Sequence, residues 1–145
     1  MLKINEIYAS IQGESSHTGL PCIFIRLTGC NLRCSWCDTA YAFYAGNDLT
    51  IGETLQKVDA FGLPLVEITG GEPLLQEDVY PLMEALLKKG YRVMLETSGA
   101  LPIDKVPKRV IKILDIKCPG SGEEKKRSEE RRVGKECRSR WSTYH

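Results

Sequence analysis

Short apolar runs alternate with longer amphipathic segments along the first 120 residues of the chain. Runs bounded by Gly, Pro or polar clusters are typical of buried strands, and they predict strands at residues 3–9, 21–27, 65–69, 91–96 and 110–116. Apolar residues three or four positions apart predict helices over 50–61 and 78–89. Thr50 is placed to cap the first helix, and Gly90 to end the second.

This order of elements predicts an α/β fold built from parallel β/α units. Polar or Gly-rich segments repeatedly follow the strands, and in such folds the active site forms at the carboxyl edge of the sheet. We therefore expect four segments to converge on one rim: the loop from residue 28 to about 42, and residues 70–73, 97–99 and 115–117.

The loop that follows the second strand contains three cysteines, Cys30, Cys34 and Cys37, in the spacing C-x3-C-x2-C. Three thiolates on one loop can hold a four-iron, four-sulfur cluster and leave one iron open to a small molecule. A zinc site and incidental thiols are the alternatives, although His17 and His145, the only histidines, do not complete a zinc pattern.

Composition and charge narrow the class of protein. The 145 residues suit about one domain, no segment approaches the roughly 18 apolar residues of a membrane span, and the net charge of +1 indicates neither a nucleic-acid nor a membrane partner. Six cysteines without a secretory signal favour a reducing, cytoplasmic location over disulfides.

The last 19 residues, 127–145, resemble the translation of a sequencing adapter, except at Thr143. We expect them to be a non-native, disordered tail, with a genuine basic tail as the alternative. Without them the chain has 14 basic and 16 acidic residues, a net charge of −2, and Cys137 leaves the inventory. Residues 1–126 are then expected to be the amino-terminal part of a longer domain, inactive as given.

The cysteine loop, followed by Gly-Gly-Glu-Pro at residues 70–73, resembles the radical S-adenosylmethionine superfamily. The resemblance implies a partial (β/α) barrel, incomplete in this chain, that binds one 4Fe–4S cluster and S-adenosylmethionine. Only glycine lets the backbone approach a ligand as closely as the turn after residue 69 would require.

Residues 7–14, Arg26 and residues 37–41 narrow the resemblance to the 7-carboxy-7-deazaguanine synthases, over residues 1 to about 122. The family is a carbon–nitrogen lyase of queuosine biosynthesis. The resemblance implies that 6-carboxy-5,6,7,8-tetrahydropterin loses a hydrogen to the 5′-deoxyadenosyl radical, rearranges and loses ammonia to give 7-carboxy-7-deazaguanine. It also implies Mg²⁺, an electron donor such as flavodoxin or ferredoxin, and a homodimer.

The resemblance assigns ligands residue by residue. The cluster would be held by Cys30, Cys34 and Cys37, and Mg²⁺ by Thr39. S-adenosylmethionine would be bound by Trp36, Cys37, Asp38, Gly70, Gly71, Glu72, Ser98, Asp115, Ile116 and Lys117. The pterin would be bound by Ile11, Gln12, Gly13, Arg26 and Thr69.

Plainer interpretations stand beside these roles. Arg26 could pair with a surface acid, Thr39 could cap a loop, and Gln12 and Glu14 could belong to a solvated loop. Cys22 is expected to be a buried apolar residue, and Cys118 is not expected to be a fourth ligand, which would close the open iron. For the whole chain, the alternatives are a radical-activating enzyme acting on a protein glycine and a non-enzymatic metal-cluster module.

Overall fold

A six-stranded sheet with two helices forms the part of the chain that the computed structural model describes, residues 1–123 and residue 125. The strands are β1 (Leu2–Ile11), β2 (Pro21–Leu27), β3 (Asn47–Leu49), β4 (Leu65–Gly70), β5 (Arg92–Thr97) and β6 (Ile111–Leu114). The helices are α1 (Ile51–Asp59) and α2 (Val79–Lys88), with short 3-10 turns at Ser15–His17, Ala40–Phe43, Pro73–Leu75 and Pro119–Ser121. The tail predicted over 127–145 lies outside the described residues.

The predicted α/β fold is confirmed. The strand order is β3-β1-β2-β4-β5-β6, and the four strands from β2 to β6 in this order run parallel. Ile25 of β2 pairs with Ile68 of β4, which in turn pairs with Leu95 of β5. The carboxyl ends of these strands therefore lie along one edge of the sheet.

The expectation of parallel units throughout is wrong for the amino-terminal third. β1 pairs antiparallel with β2, because the segment between them is too short for a parallel crossover. β1 also pairs antiparallel with β3. The sequence pattern also missed β3, a polar three-residue edge strand opposite Leu2–Ile4. The strand boundaries differ from the predicted ones by at most two residues, β2 has the predicted bounds, and β1 continues to Ile11.

Both predicted helices are present, each slightly shorter than expected. Helix α1 begins with a capping box, in which the Thr50 hydroxyl accepts from the Glu53 backbone N–H and the Glu53 carboxylate accepts from the Thr50 N–H. Gly90 lies two residues after the end of α2 and stops the helix by its left-handed conformation, with φ of 92°.

Alternate residues of the central strands divide the core into two faces. One face packs Ile25, Ile68 and Leu95 against residues of α1 and α2 such as Val58 and Leu86. The opposite face carries a smaller apolar cluster of Cys22, Phe24, Leu65 and Met94. Cys22 is fully buried there, which confirms its predicted apolar role.

Polar side chains replace the apolar ones on this second face toward the carboxyl ends of the strands. Arg26, Thr69 and Glu96 each lie two or more positions beyond a residue of the smaller cluster on the same strand. Because side chains alternate along a strand, these polar groups point to the same side of the sheet as that cluster. The fold thus provides an apolar floor with a polar rim above it.

Candidate functional site

A cavity of about 380 Å³ opens at the carboxyl edge of the parallel strands. The four predicted segments converge on it, which confirms the expected rim. Of the predicted site residues, its walls include Arg26, Cys30, Cys34, Trp36, Cys37, Asp38, Thr39, Thr69, Gly70, Gly71, Ser98, Asp115 and Lys117. Its walls also include five residues that sequence reasoning did not assign: Glu14, Leu32, Phe43, Glu96 and Thr97.

Backbone hydrogen bonds fix the cysteine loop against the turn after β4. Gly29 N–H donates to the Ala42 carbonyl at 2.9 Å, and Glu72 N–H donates to the Gly29 carbonyl at 2.9 Å. A Cβ at Gly71 would lie 2.3 Å from the Gly29 oxygen and 2.6 Å from the Cys30 Cβ. Glycine at 71 is therefore required by the close approach of the two loops.

The three cysteine thiols share the cavity and are free and partly exposed. Burial raises the pKa of Cys30 and of Cys34 in the metal-free chain, so metal binding would have to displace their protons. The described residues contain no group of three or more His, Cys, Asp or Glu side chains arranged to hold a single metal ion. Three cysteine thiols on one cavity are soft donors of the kind that iron–sulfur clusters use.

The segment at residues 118–123 packs over the outside of the cysteine loop. Ser35 Oγ donates to the Gly120 carbonyl at 2.9 Å, and Arg33 N–H donates to the Glu123 carboxylate at 2.7 Å. A side chain at Gly120 would collide with the Trp36 ring, which lies within 2.9 Å of the Cβ position. Cys118 is exposed and is not part of the cavity wall.

Glu72 is fully buried beneath the rim, and its carboxylate is occupied by the protein. It accepts from Thr97 Oγ1 at 2.7 Å, Ser98 N–H at 3.0 Å, Ser98 Oγ at 2.5 Å and Leu74 N–H at 3.2 Å. The Glu72 carboxylate positions Ser98, which lines the cavity, and the predicted contact of Glu72 with the cofactor stays a prediction.

Arg26 lies on β2 beside Thr69 of β4, and two hydrogen bonds hold its side chain in place. Its Nε donates to Glu6 at 2.8 Å and one terminal nitrogen donates to the Tyr8 hydroxyl at 2.9 Å. Burial would lower the pKa of the guanidinium, but the hydrogen bond to Glu6 raises it. The predicted alternative, pairing with an acid, is thus present, yet Arg26 is also part of the cavity wall.

The Thr39 hydroxyl is available as an oxygen ligand. Thr39 precedes the turn Ala40–Phe43, but its side chain forms no capping hydrogen bond. Its Oγ1 lies 3.8 Å from Cys37 Sγ, at the cavity. The loop-cap interpretation of Thr39 therefore lacks the hydrogen bond that would define it.

Two cavity carboxylates were missed by sequence reasoning. Glu96 accepts from Thr69 Oγ1 at 2.8 Å, and burial raises the pKa of its carboxyl group. Glu14 follows the end of β1 and also lines the cavity. The sequence pattern alone does not show that Glu96 contacts Thr69, because this contact depends on the register of β4 against β5.

Besides Glu72, four predicted site residues do not reach the cavity wall. Gln12 is buried below it, with 2 % of its surface exposed, so its interpretation as a solvated loop residue is wrong. Ile11 is 59 % exposed, and Gly13 and Ile116 also lie off the wall. Their assigned contacts stay predictions.

Asp115 and Lys117 complete the rim next to Cys34. The Lys117 ammonium donates to Asp115 at 2.5 Å. Burial would lower the pKa of Lys117, but its hydrogen bond to Asp115 raises it. The rim therefore carries a fixed cation close to the thiols.

Helices in the described part of the chain are too short or too polar to cross a lipid bilayer.

Comparison with known proteins agrees with this geometry. Residues 24–117 match the model of the radical SAM superfamily. The 7-carboxy-7-deazaguanine synthase of Koribacter versatilis is 56 % identical over 124 residues, which are 84 % of this chain and 55 % of the relative. That of Chlorobaculum tepidum is 53 % identical over 121 residues, covering 83 % and 55 % of the two chains.

The crystal structure of QueE from Escherichia coli is similar to the fold, with a TM-score of 0.71 and 29 % identity. The match covers 81 % of this chain and 60 % of that one. The chain thus spans about half the length of the curated relatives it matches. With a family model matched across the cavity-forming loops, the chain belongs to the radical SAM superfamily.

Proposed function

We propose that the protein acts as a 7-carboxy-7-deazaguanine synthase, converting 6-carboxy-5,6,7,8-tetrahydropterin to 7-carboxy-7-deazaguanine with loss of ammonia. One observation carries the proposal: a single cavity joins three cysteine thiols to a fixed arginine and the carboxylates of Glu14 and Glu96. The relatives that match most of this chain bear the same enzyme name.

The cluster would be held by Cys30, Cys34 and Cys37, the soft ligands of the cavity. When bound, the reduced cluster and S-adenosylmethionine supply a radical that removes hydrogen from the substrate. Gly70 and Gly71 offer backbone without side chains at the wall, and Ser98, fixed by Glu72, offers a hydroxyl. These groups bind and orient S-adenosylmethionine together with Trp36, Asp38, Asp115 and Lys117.

Arg26 would bind the carboxylate of the pterin. Its side chain is 13 % exposed, and the hydrogen bonds to Glu6 and Tyr8 hold the guanidinium at the wall before any ligand arrives. A charge-assisted pair with a carboxylate is strongest where water is excluded and the donor is already oriented.

The pterin ring also presents N–H donors, and the cavity supplies matching acceptors. The carboxylates of Glu14 and Glu96 lie on the wall, and Thr69 orients Glu96 through its hydrogen bond. Acceptors aimed at ring N–H groups would fix which atom of the substrate faces the cluster.

Mg²⁺ would be bound through the Thr39 hydroxyl together with the substrate carboxylate and water. Magnesium prefers hard oxygen ligands and keeps positions open for substrate. Bridging the carboxylate to the protein would orient the migrating carbon of the pterin. We further propose that a flavodoxin or ferredoxin donates the electron, and that the protein is a homodimer located in the cytoplasm.

Pterin binding to the anaerobically reconstituted chain, with Mg²⁺ and S-adenosylmethionine present, tests the proposal. Arg26→Ala should weaken binding about 10- to 100-fold, the effect of losing one charge-assisted pair, while Arg26→Lys recovers part of it. Arg109→Ala is the matched control, since Arg109 lies in a separate groove at the other end of the sheet. Equal affinities for the wild-type chain and Arg26→Ala would contradict the proposal.

A further inference from the structure

Glu67 is a buried acid that the proposed function does not use. It lies on β4, two residues before Thr69, with 3 % of its surface exposed, and it is not part of the cavity wall. It forms no ion pair with a lysine or arginine within residues 1–123. A buried carboxyl group without a cation needs another form of compensation.

That compensation begins with Gln12. The Gln12 amide Nε2 donates to the Glu67 carboxyl group and lies 3.7 Å from Met94 Sδ. The Gln12 Oε1 accepts from the Glu14 backbone N–H at 3.0 Å. Because the Gln12 backbone is also bonded to Gly19 and Leu20, both at 2.8 Å, Gln12 links Glu67 rigidly to the cavity residue Glu14.

Glu96 lies on the same face of the neighbouring strand β5, two positions beyond Met94, which is the register partner of Glu67, and its carboxyl group acts on Glu67 through its charge and as a hydrogen-bond partner. Glu67 is buried and Glu96 half-buried, and repulsion between like charges in such a poorly hydrated site disfavours ionising both carboxyl groups. Burial, then the charge of Glu96, raises the pKa of Glu67 to about 7. A protonated Glu67 can donate to Glu96 and still accept from Gln12.

Other titratable groups face the Glu67–Glu96 pair from the elements packed around it. Glu14 after β1 adds negative charge, and burial first, then Glu67, raises the pKa of Cys22 on β2 to about 12. Arg26 and Asp115 act on Glu96 with opposite signs, and Lys117 is within range of Glu96. The cations therefore favour charge on Glu96, which leaves the proton to Glu67.

We propose that Glu67 is a positioning residue that carries a proton, donates it in a hydrogen bond to Glu96, and through Gln12 fixes Glu14 at the cavity. The two cavity carboxylates are then set by one buried group. In so far as these carboxylates meet the pterin, the inference rests on the proposed function. Its structural content concerns the metal-free chain alone.

The proposal makes glutamine an adequate replacement at position 67. In Glu67→Gln the amide N–H₂ can donate to Glu96 and the amide oxygen can accept from Gln12, so both hydrogen bonds persist. In Glu67→Leu neither can form. A group needed as an anion would show the reverse: glutamine would fail as leucine does.

Carboxyl ¹³C and amide ¹H–¹⁵N NMR of the 145-residue chain between pH 4 and 9 tests the proposal. We expect one glutamate carboxyl group to titrate near neutral pH and to vanish from the spectrum in Glu67→Gln. The Glu14 amide should follow the same midpoint in the wild-type chain and lose that titration in Glu67→Gln. Glu84→Gln, at an exposed position on α2, serves as the control.

Two NMR results would overturn the proposal. One is that every glutamate carboxyl group titrates below pH 5. The other is a Glu14 amide that keeps its neutral titration in Glu67→Gln, which would remove the link through Gln12. Glu67→Gln is the decisive variant, and if Glu67→Leu folds it should lower pterin affinity at least tenfold while Glu67→Gln stays within twofold.

The arms of the experiment separate this proposal from the proposed function. If the wild-type chain does not bind the pterin, the proposed function fails while the NMR titrations still decide the role of Glu67. If the pterin binds and Glu67→Gln is as impaired as Glu67→Leu, the function stands and the positioning role falls.

Discussion

Replacing Gly71 by alanine tests how tightly the turn after β4 is fitted to the cysteine loop. The added Cβ would meet the Gly29 carbonyl oxygen at 2.3 Å and the Cys30 Cβ at 2.6 Å, whereas an ordinary contact begins at 3.4 Å. Neither partner is the end of a flexible side chain, so the two loops must separate by about 1 Å.

The cost can be worked from that separation. Overpacking of a fitted site costs about 1–3 kcal/mol, and loss of the Glu72 N–H bond to the Gly29 carbonyl, 2.9 Å long, adds about 1 kcal/mol. We expect the free energy of unfolding to fall by about 2–4 kcal/mol. Because Cys30 moves with the loop, iron bound after reconstitution should fall as well.

Urea denaturation and iron analysis of Gly71→Ala measure these effects. Gly52→Ala is the control, since Gly52 lies on the exposed side of α1 and its Cβ would meet only Thr50 Oγ1, at 3.9 Å. This control should gain about 0.5–1 kcal/mol from helix propensity and leave the iron content unchanged. If Gly71→Ala is as stable as the wild-type chain and binds as much iron, the close approach of the loops is refuted.

Three further predictions concern stability. Glu72→Gln places an N–H₂ group against the donors of Ser98 or Thr97, and it should lower the free energy of unfolding, measured by urea denaturation, by about 2–3 kcal/mol. An unchanged free energy of unfolding would contradict the buried hydrogen bonds of Glu72. Leu86→Ala leaves a cavity in the fully buried core and should cost about 2–5 kcal/mol by the same measurement, and a cost below that of exposed sites would contradict the packing. Folding raises the pKa of Glu67 from 4.5 to about 7, so the folded chain binds this proton more tightly than the unfolded chain. The stability of the wild-type chain relative to Glu67→Gln should therefore fall by about 3 kcal/mol as pH rises from 4.5 to 7, and then level off. A stability difference that does not change with pH would show that Glu67 is not shifted.

Local patterns predicted the parts of the site that are contiguous in the chain. The cysteine loop, the Gly70–Gly71 turn and the segment around Asp115 each follow a strand, and the carboxyl ends of parallel strands meet at one edge. No knowledge of strand order was needed for that inference.

Contacts between distant residues account for what the sequence pattern missed. Gln12 is buried because its amide reaches Glu67, 55 residues away, and periodicity carries no information about such a pair. Glu96 joins the cavity because the register of β4 and β5 places it beside Thr69. The edge strand β3 was missed because its polar residues form a strand only by pairing with β1.

The central claim is that Cys30, Cys34 and Cys37 hold a four-iron cluster with one iron open to S-adenosylmethionine. The direct measurement is the electron paramagnetic resonance spectrum of the reduced, anaerobically reconstituted chain with and without S-adenosylmethionine, together with its metal content. The account predicts about four iron atoms per chain, a spectrum that changes on addition of S-adenosylmethionine, and loss of both in Cys34→Ala but not in Cys22→Ala. One zinc per chain, or an iron signal indifferent to S-adenosylmethionine, would contradict it.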